Sequence, residues 1–188
     1  MTNARQRPPA SLAAIGLLAV FALQPAQAEE YDCSGKLGAA TVDNLRVPDG
    51  QSCTLDATRV KGNIKVESGA TLAARAVRVV GNIQAENAKQ VDVSASSVGG
   101  NIQIKQGGSA LISRTNVDGD IQLESNRRAL RVHDNTLGGN LQVFQNSGGA
   151  SLAGNAIDGN LQCKENRPAP TGGGNRVRGD KEDQCSRL

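Results

Sequence analysis

A five-residue motif returns along this chain at nearly constant distance, and that recurrence limits the fold more than any other property. The motif spans Val60 to Ile64, Val79 to Ile83, Val98 to Ile102, Val117 to Ile121, Leu137 to Leu141 and Ile157 to Leu161, with a last trace at Val177 to Asp180. Its central glycines are Gly62, Gly81, Gly100, Gly119, Gly139, Gly159 and Gly179, so the steps are 19, 19, 19, 20, 20 and 20 residues. A degenerate copy at Thr41 to Leu45 precedes them. Fixed self-similarity of this length is the signature of stacked repeats, in which each unit buries its apolar side only against its neighbours.

Aligning the units resolves columns. Val60, Val79, Val98, Val117, Leu137, Ile157 and Val177 form one, and Ile64, Ile83, Ile102, Ile121, Leu141 and Leu161 the next. Val66, Ala85, Ile104, Leu123, Val143 and Cys163 follow two residues later, which is the same face of a strand. The first two columns are four residues apart, so Gly62 and its equivalents are expected to face inward as well. A further strand places Leu72, Val91, Ala110, Leu130 and Ala150 inward, followed by Ala74, Val93, Ile112, Val132 and Leu152. A glycine and a β-branched residue in every unit disfavour helix.

The expected fold is therefore all-β: one single-domain parallel β-helix, or β-solenoid, of about seven coils of 19–20 residues. Left-handed hexapeptide solenoids use about 18 residues per turn, so the longer period favours a right-handed one. The solenoid is expected over 42–179, between an N-terminal cap at 29–41 and a C-terminal cap at 180–188. In the last full coil, the prolines and glycines of Asn166 to Asn175 are expected to interrupt the second sheet. Val117-Asp-Gly-Asp-Ile-Gln-Leu-Glu-Ser125 and its sister segments resemble the 19–20-residue repeats of filamentous-haemagglutinin-type bacterial secreted β-helices. This resemblance in repeat style covers 42 to about 180 and implies export, adhesion or surface display.

Residues 1–28 read as a secretory signal peptide. Arg5 and Arg7 precede the apolar run Leu12 to Leu23, and Ala26-Gln27-Ala28 supplies the small-residue cleavage site. Cleavage after Ala28 removes two arginines and no acid, which leaves 19 basic against 18 acidic side chains. A balance this even gives no electrostatic reason to expect nucleic acid or an anionic membrane as partner. No stable membrane anchor is expected after cleavage, and the product is expected in the periplasm or outside the cell.

The cysteines are spaced to match the coils. Cys33 and Cys53 lie 20 residues apart and Cys163 and Cys185 lie 22 apart, about one coil in each case. Pairing Cys53 with Cys163 would have to bridge nearly six coils, roughly 28 Å at about 4.8 Å per step, well beyond disulfide reach. The expected bridges are Cys33–Cys53 and Cys163–Cys185, one at each end of the stack. No metal-ligand spacing is present, and no cofactor is expected.

Two polar columns accompany the apolar ones. Asn63, Asn82, Asn101, Asp120, Asn140 and Asn160 form one, and Lys65, Gln84, Gln103, Gln122, Gln142 and Gln162 another, both expected on one outer face. Such amides can bond to one another along the axis or present a regular surface to a repeating ligand. The candidate ligand face is Asn82, Gln84, Asn101, Gln103, Asp120, Gln122, Asn140 and Gln142, with Phe144 as its apolar anchor. The expected function is non-enzymatic: an exported, monomeric binding or structural, surface-display protein for a glycan or cell-envelope polymer, with an envelope protein as the other candidate partner. The alternative is a small carbohydrate-active enzyme using acids such as Asp118, Asp120 and Asp158, which are expected on one sheet. His133 and Asp134 are adjacent on a strand, so opposite faces are expected.

Overall fold

Two residues in each coil break its path into three strands. The computed structural model describes Met1 and residues 29–188, so the expected signal peptide, apart from Met1, lies outside the described residues. One break follows the strands that carry the Ile column, at Asn87, Gln106, Ser125, Gln145 and Glu165; the other falls at Ala57, Ala76, Ala95, Arg114 and Asp134. All of these have φ between 47° and 58°, a left-handed conformation that turns the chain sharply and costs a side-chain-bearing residue about 1–2 kcal/mol. Glycine takes the role at Gly50, Gly69, Gly154 and Gly174. The third corner is the Gly-Asn pair of the motif.

Sheet 1 holds nine strands, from Glu30–Asp32 through Ile64–Val66, Ile83–Glu86 and Ile102–Lys105 to Lys181–Asp183. Sheet 2 has eight, including Ser52–Asp56, Thr71–Arg75 and Gln90–Ser94. Sheet 3 has eight two-residue strands, such as Arg59–Val60, Arg78–Val79 and Ser97–Val98. Every strand pairs in parallel with its counterpart one coil away, as Ile83 does with Ile64 and Ile102. The result is a β-solenoid of about eight turns. It exceeds the expected seven because segments read as caps, Glu30–Asp32, Gly35–Leu37 and Lys181–Asp183, extend the ladders. Backbone pairing needs no apolar side chain, so the missing motif did not end the stack.

The apolar columns form one continuous core, with Leu45, Ile64, Ile83, Ile102, Ile121, Leu141 and Leu161 fully buried. The four-residue spacing between the first two columns crosses a corner rather than following one strand. Gly62 and its equivalents up to Gly159 are consequently half-buried corner residues and not inward ones, and Gly179 in the last coil is exposed. The asparagine of the preceding coil occupies the place of a side chain: a Cβ at Gly119 would collide with Asn101 Oδ1. Sheet 2 also continues where an interruption was expected. Thr171, Gly172 and Gly173 pair with Ser151, Leu152 and Ala153. Their glycines end the apolar column but keep the hydrogen bonds.

Both expected bridges are present, with Cα–Cα separations of 5.6 Å for Cys33–Cys53 and 5.3 Å for Cys163–Cys185. Each joins adjacent coils near one end, and all four cysteines are buried. Val177 and Leu188 pack partly buried against the core at the far end.

Candidate functional site

The polar columns divide into ladders that hold the coils together and surfaces that remain free. Asn63, Asn82, Asn101, Asp120, Asn140 and Asn160 stand at the corner between sheets 3 and 1, not on the strand face beside the glutamines. Their side-chain oxygens accept the backbone N–H one coil on: Asn82 Oδ1 from Asn101 at 2.8 Å, Asn101 Oδ1 from Asp120 at 2.8 Å, and Asp120 Oδ1 from Asn140 at 2.6 Å. These residues are committed to the fold. On the sheet 1 face, Gln103 donates to Gln122 at 2.7 Å and Gln142 to Gln162 at 2.9 Å. Gln84 and Gln103 border an open hollow of about 380 Å³ with Lys65, Glu67 and Lys105. Phe144 points outward two positions after Gln142, half-buried in register between Glu124 and Lys164.

Two further ladders escaped the sequence reading. Asn126, Asn146 and Asn166 follow the first left-handed corner, and Asn135, Asn155 and Asn175 follow the second; all six are buried. Asn155 Oδ1 accepts from Asn135 N at 3.1 Å, while its Nδ2 donates to Val132 O at 2.9 Å. No buried side-chain nitrogen or oxygen among the described residues lacks a partner. A spacing of 20 residues, directly after a position forced to positive φ, was the available signal.

Charge is concentrated in pairs at the N-terminal end. Arg46 donates to both Asp32 oxygens at 2.8 and 2.7 Å, and that bond holds the Asp32 carboxyl below its ordinary pKa and raises the arginine further. Lys65, 2.9 Å from Glu67, lowers the Glu67 carboxyl and is itself raised. Because both carboxyl groups are depressed, any stability they lend is present above the ordinary carboxylate range and is lost as pH falls through their folded values.

The acids considered for catalysis are not on one sheet strand. Asp120 lies in the corner ladder, while Asp118 and Asp158 follow directly on sheet 3 strands. Asp158 sits 3.6 Å from Arg178. His133 and Asp134 do meet, with Nδ1 and Oδ2 3.1 Å apart. The opposite-face rule fails there because Asp134, with φ 58°, has already left the strand.

The outer side of sheet 3 carries a large concavity. Its strands are so short that each offers one outward residue, then one inward aliphatic. Arg59, Arg78, Ser97, Asn116, Thr136, Ala156 and Arg176 make the outward row in register. Beside them runs a second row: Lys61, Val80, Gly99, Asp118, Gly138, Asp158 and Arg178. The glycines there are steric necessities, since a Cβ at Gly99 would collide with the Val80 carbonyl and one at Gly138 with that of Asp118. Short floor residues and bare wall positions leave hollows of about 820 and 410 Å³, and both are bordered by Asn116 and Asp118. They adjoin at those two residues and lie end to end along the axis as an open trough. From Arg78 to Arg176 it covers five coil steps, roughly 24 Å at about 4.8 Å each.

No protein-family model matches this chain, and neither does any curated protein or solved structure.

Proposed function

We propose that this protein is an exported, non-enzymatic β-solenoid that binds an extended glycan or envelope polymer along its side. The observation that carries this reading is the sheet 3 trough, an open channel along the axis to which each coil contributes one floor residue. A linear polymer fits such a channel better than a compact ligand does, because the channel runs over several coil steps, each with its own floor residue. Two disulfides near the ends support an oxidising destination, in line with the signal-like residues 1–28. The protein acts as a monomer in this reading, and the glutamine face with Phe144 is a secondary surface.

A second reading, a carbohydrate-active enzyme, draws on Asp118 and Asp158. They stand two coils apart on one wall, roughly 10 Å between backbone positions at about 4.8 Å per coil. That lies near the upper separation of the carboxyl pair in inverting glycosidases. A glycan array probed with the purified protein, followed by product analysis of each hit, tests both. Binding without cleavage, abolished by a trough-filling Thr136→Trp substitution, is the expected result. Shortened products would favour the enzyme, and retention of array signals identical in Thr136→Trp would remove the trough from consideration.

A further inference from the structure

One end of the trough, together with the coil just beyond it, holds an unbalanced pair of like charges, Arg78 in the trough and Arg59 outside it, and the following rests on the trough being the binding site. Arg59 and Arg78 are in-register neighbours on sheet 3 and both are exposed. Like charges directly opposite destabilise a sheet pair. Neither guanidinium lies within 4.0 Å of a carboxylate among the described residues, whereas neighbouring Lys61 is neutralised by Asp43 at 2.8 Å. At the opposite end Arg178 is engaged by Asp158, while Arg176 and Lys181 likewise have no carboxylate within 4.0 Å among the described residues. Both ends of the trough therefore carry unused positive charge, but at the Arg59–Arg78 end two unpaired guanidinium groups stand in register, whereas the other end has Asp158 beside Arg178.

Chemistry beside that pair is of another kind. Val80 is 49% exposed, although nearly all large aliphatics among the described residues are buried or half-buried. It stands on the wall next to Arg78, and the bare Gly99 position follows it, so a hollow opens between Val80 and Asp118. An aliphatic patch beside two free guanidinium groups suits the carbon–hydrogen face of a sugar ring that bears a carboxylate. Further along, Asn116 and Thr136 present donors and acceptors for hydroxyl groups, and Asp118 accepts from hydroxyls but repels anions.

We propose that the Arg59–Arg78–Val80 end of the trough is a subsite for an acidic sugar within a sparsely charged glycan. Its carboxylate lies across Arg59 and Arg78, where paired guanidinium donors give charge-assisted hydrogen bonds. Its ring rests on Val80, and neutral sugars continue over Asn116 and Thr136. A polymer with an acid on every sugar is disfavoured, because one of its carboxylates must face Asp118.

Three probes of similar length test this by calorimetry at low salt: a xylo-oligosaccharide bearing one glucuronate, unsubstituted xylohexaose and hexagalacturonate. The singly acidic probe is expected to bind about tenfold more tightly than the neutral one, on the order of one charge-assisted contact. An Arg59→Gln/Arg78→Gln double variant, with an unchanged melting temperature, is expected to bind both alike, and added salt to narrow the gap in the unsubstituted protein. Equal binding of neutral and acidic probes, survival of the advantage in the double variant, or tightest binding of hexagalacturonate overturns the subsite and leaves the trough reading standing. Failure of all three probes while array glycans bind also overturns the subsite alone. No glycan binding of any kind removes both.

Discussion

Asn146 shows how much one corner residue carries. Its Oδ1 accepts from Asn126 N at 2.8 Å and Asn126 Nδ2 at 3.0 Å, and its Nδ2 donates to Leu123 O at 2.9 Å and Asn166 Oδ1 at 3.0 Å. Asn146→Ala leaves those groups unpaired where water has poor access. We expect a loss of about 3 kcal/mol, since each stranded buried group costs on the order of 1–3 kcal/mol. Asn101→Ala, at the exposed corner, should cost about 1 kcal/mol because water can replace the lost acceptor. Urea unfolding midpoints with the disulfides intact give the comparison; equal losses would show that burial of the ladder adds nothing. The exposed ladder could be read from the sequence because it sits inside the motif. The buried ladders left only a 20-residue spacing as a signal, because they become asparagine only in the later coils. Earlier coils have Ala88 or Gly107 at one corner and Val77, Ser96 or Thr115 at the other. Asn126 and Asn146 stand among arginines, serines and glycines, the composition of a turn.

Strands in this fold are defined by pairing more than by composition. Alternating burial identified Ile64–Val66 and Thr71–Arg75 directly, because an apolar face leaves a period of two in the sequence. Nothing comparable marked Thr171–Gly173 or Lys181–Asp183, whose side chains bury little and whose role is to pair the backbone of the preceding coil. Those terminal strands depend on the covalent link beside them. Each bridge closes a loop of about 20 residues, worth on the order of 3 kcal/mol in the chain-entropy account. A Cys163→Ala/Cys185→Ala variant should therefore lose protection in hydrogen exchange at Thr171–Gly173, Arg176–Val177 and Lys181–Asp183. Protection at Ile83–Glu86 should hardly change, because coils interact only with their neighbours. A uniform rise in exchange along the whole chain would sink the idea of local end closure.

At the scale of the molecule, the stack is a one-dimensional array, and its coils should be removable as whole units. Deleting residues 100–118 joins Gly99 to Gly119 and regenerates an intact motif, Val98-Gly-Gly-Asp-Ile121 in the original numbers. Every column then meets its own kind across the junction. Ile83 stacks on Ile121, Gln84 on Gln122, Val91 on Leu130, and Val98 on Leu137. Asn82 Oδ1 receives the N–H of Asp120 in place of that of Asn101, and both terminal disulfides keep their local partners. The coil period already changes from 19 to 20 beyond Gly119, so the residual mismatch is one the fold tolerates elsewhere. The shortened protein is expected to keep its β-type circular dichroism and cooperative melting, with a scattering-derived length smaller by about 5 Å, one coil step. Deleting only residues 100–109 cuts a coil in half and sets strand residues of one sheet against corners of another. Inward columns then face polar ones, and no folded monomer is expected. Equal tolerance of both deletions would mean that register between coils does not hold the solenoid together, whereas collapse of both would mean that the coils fold as one indivisible body.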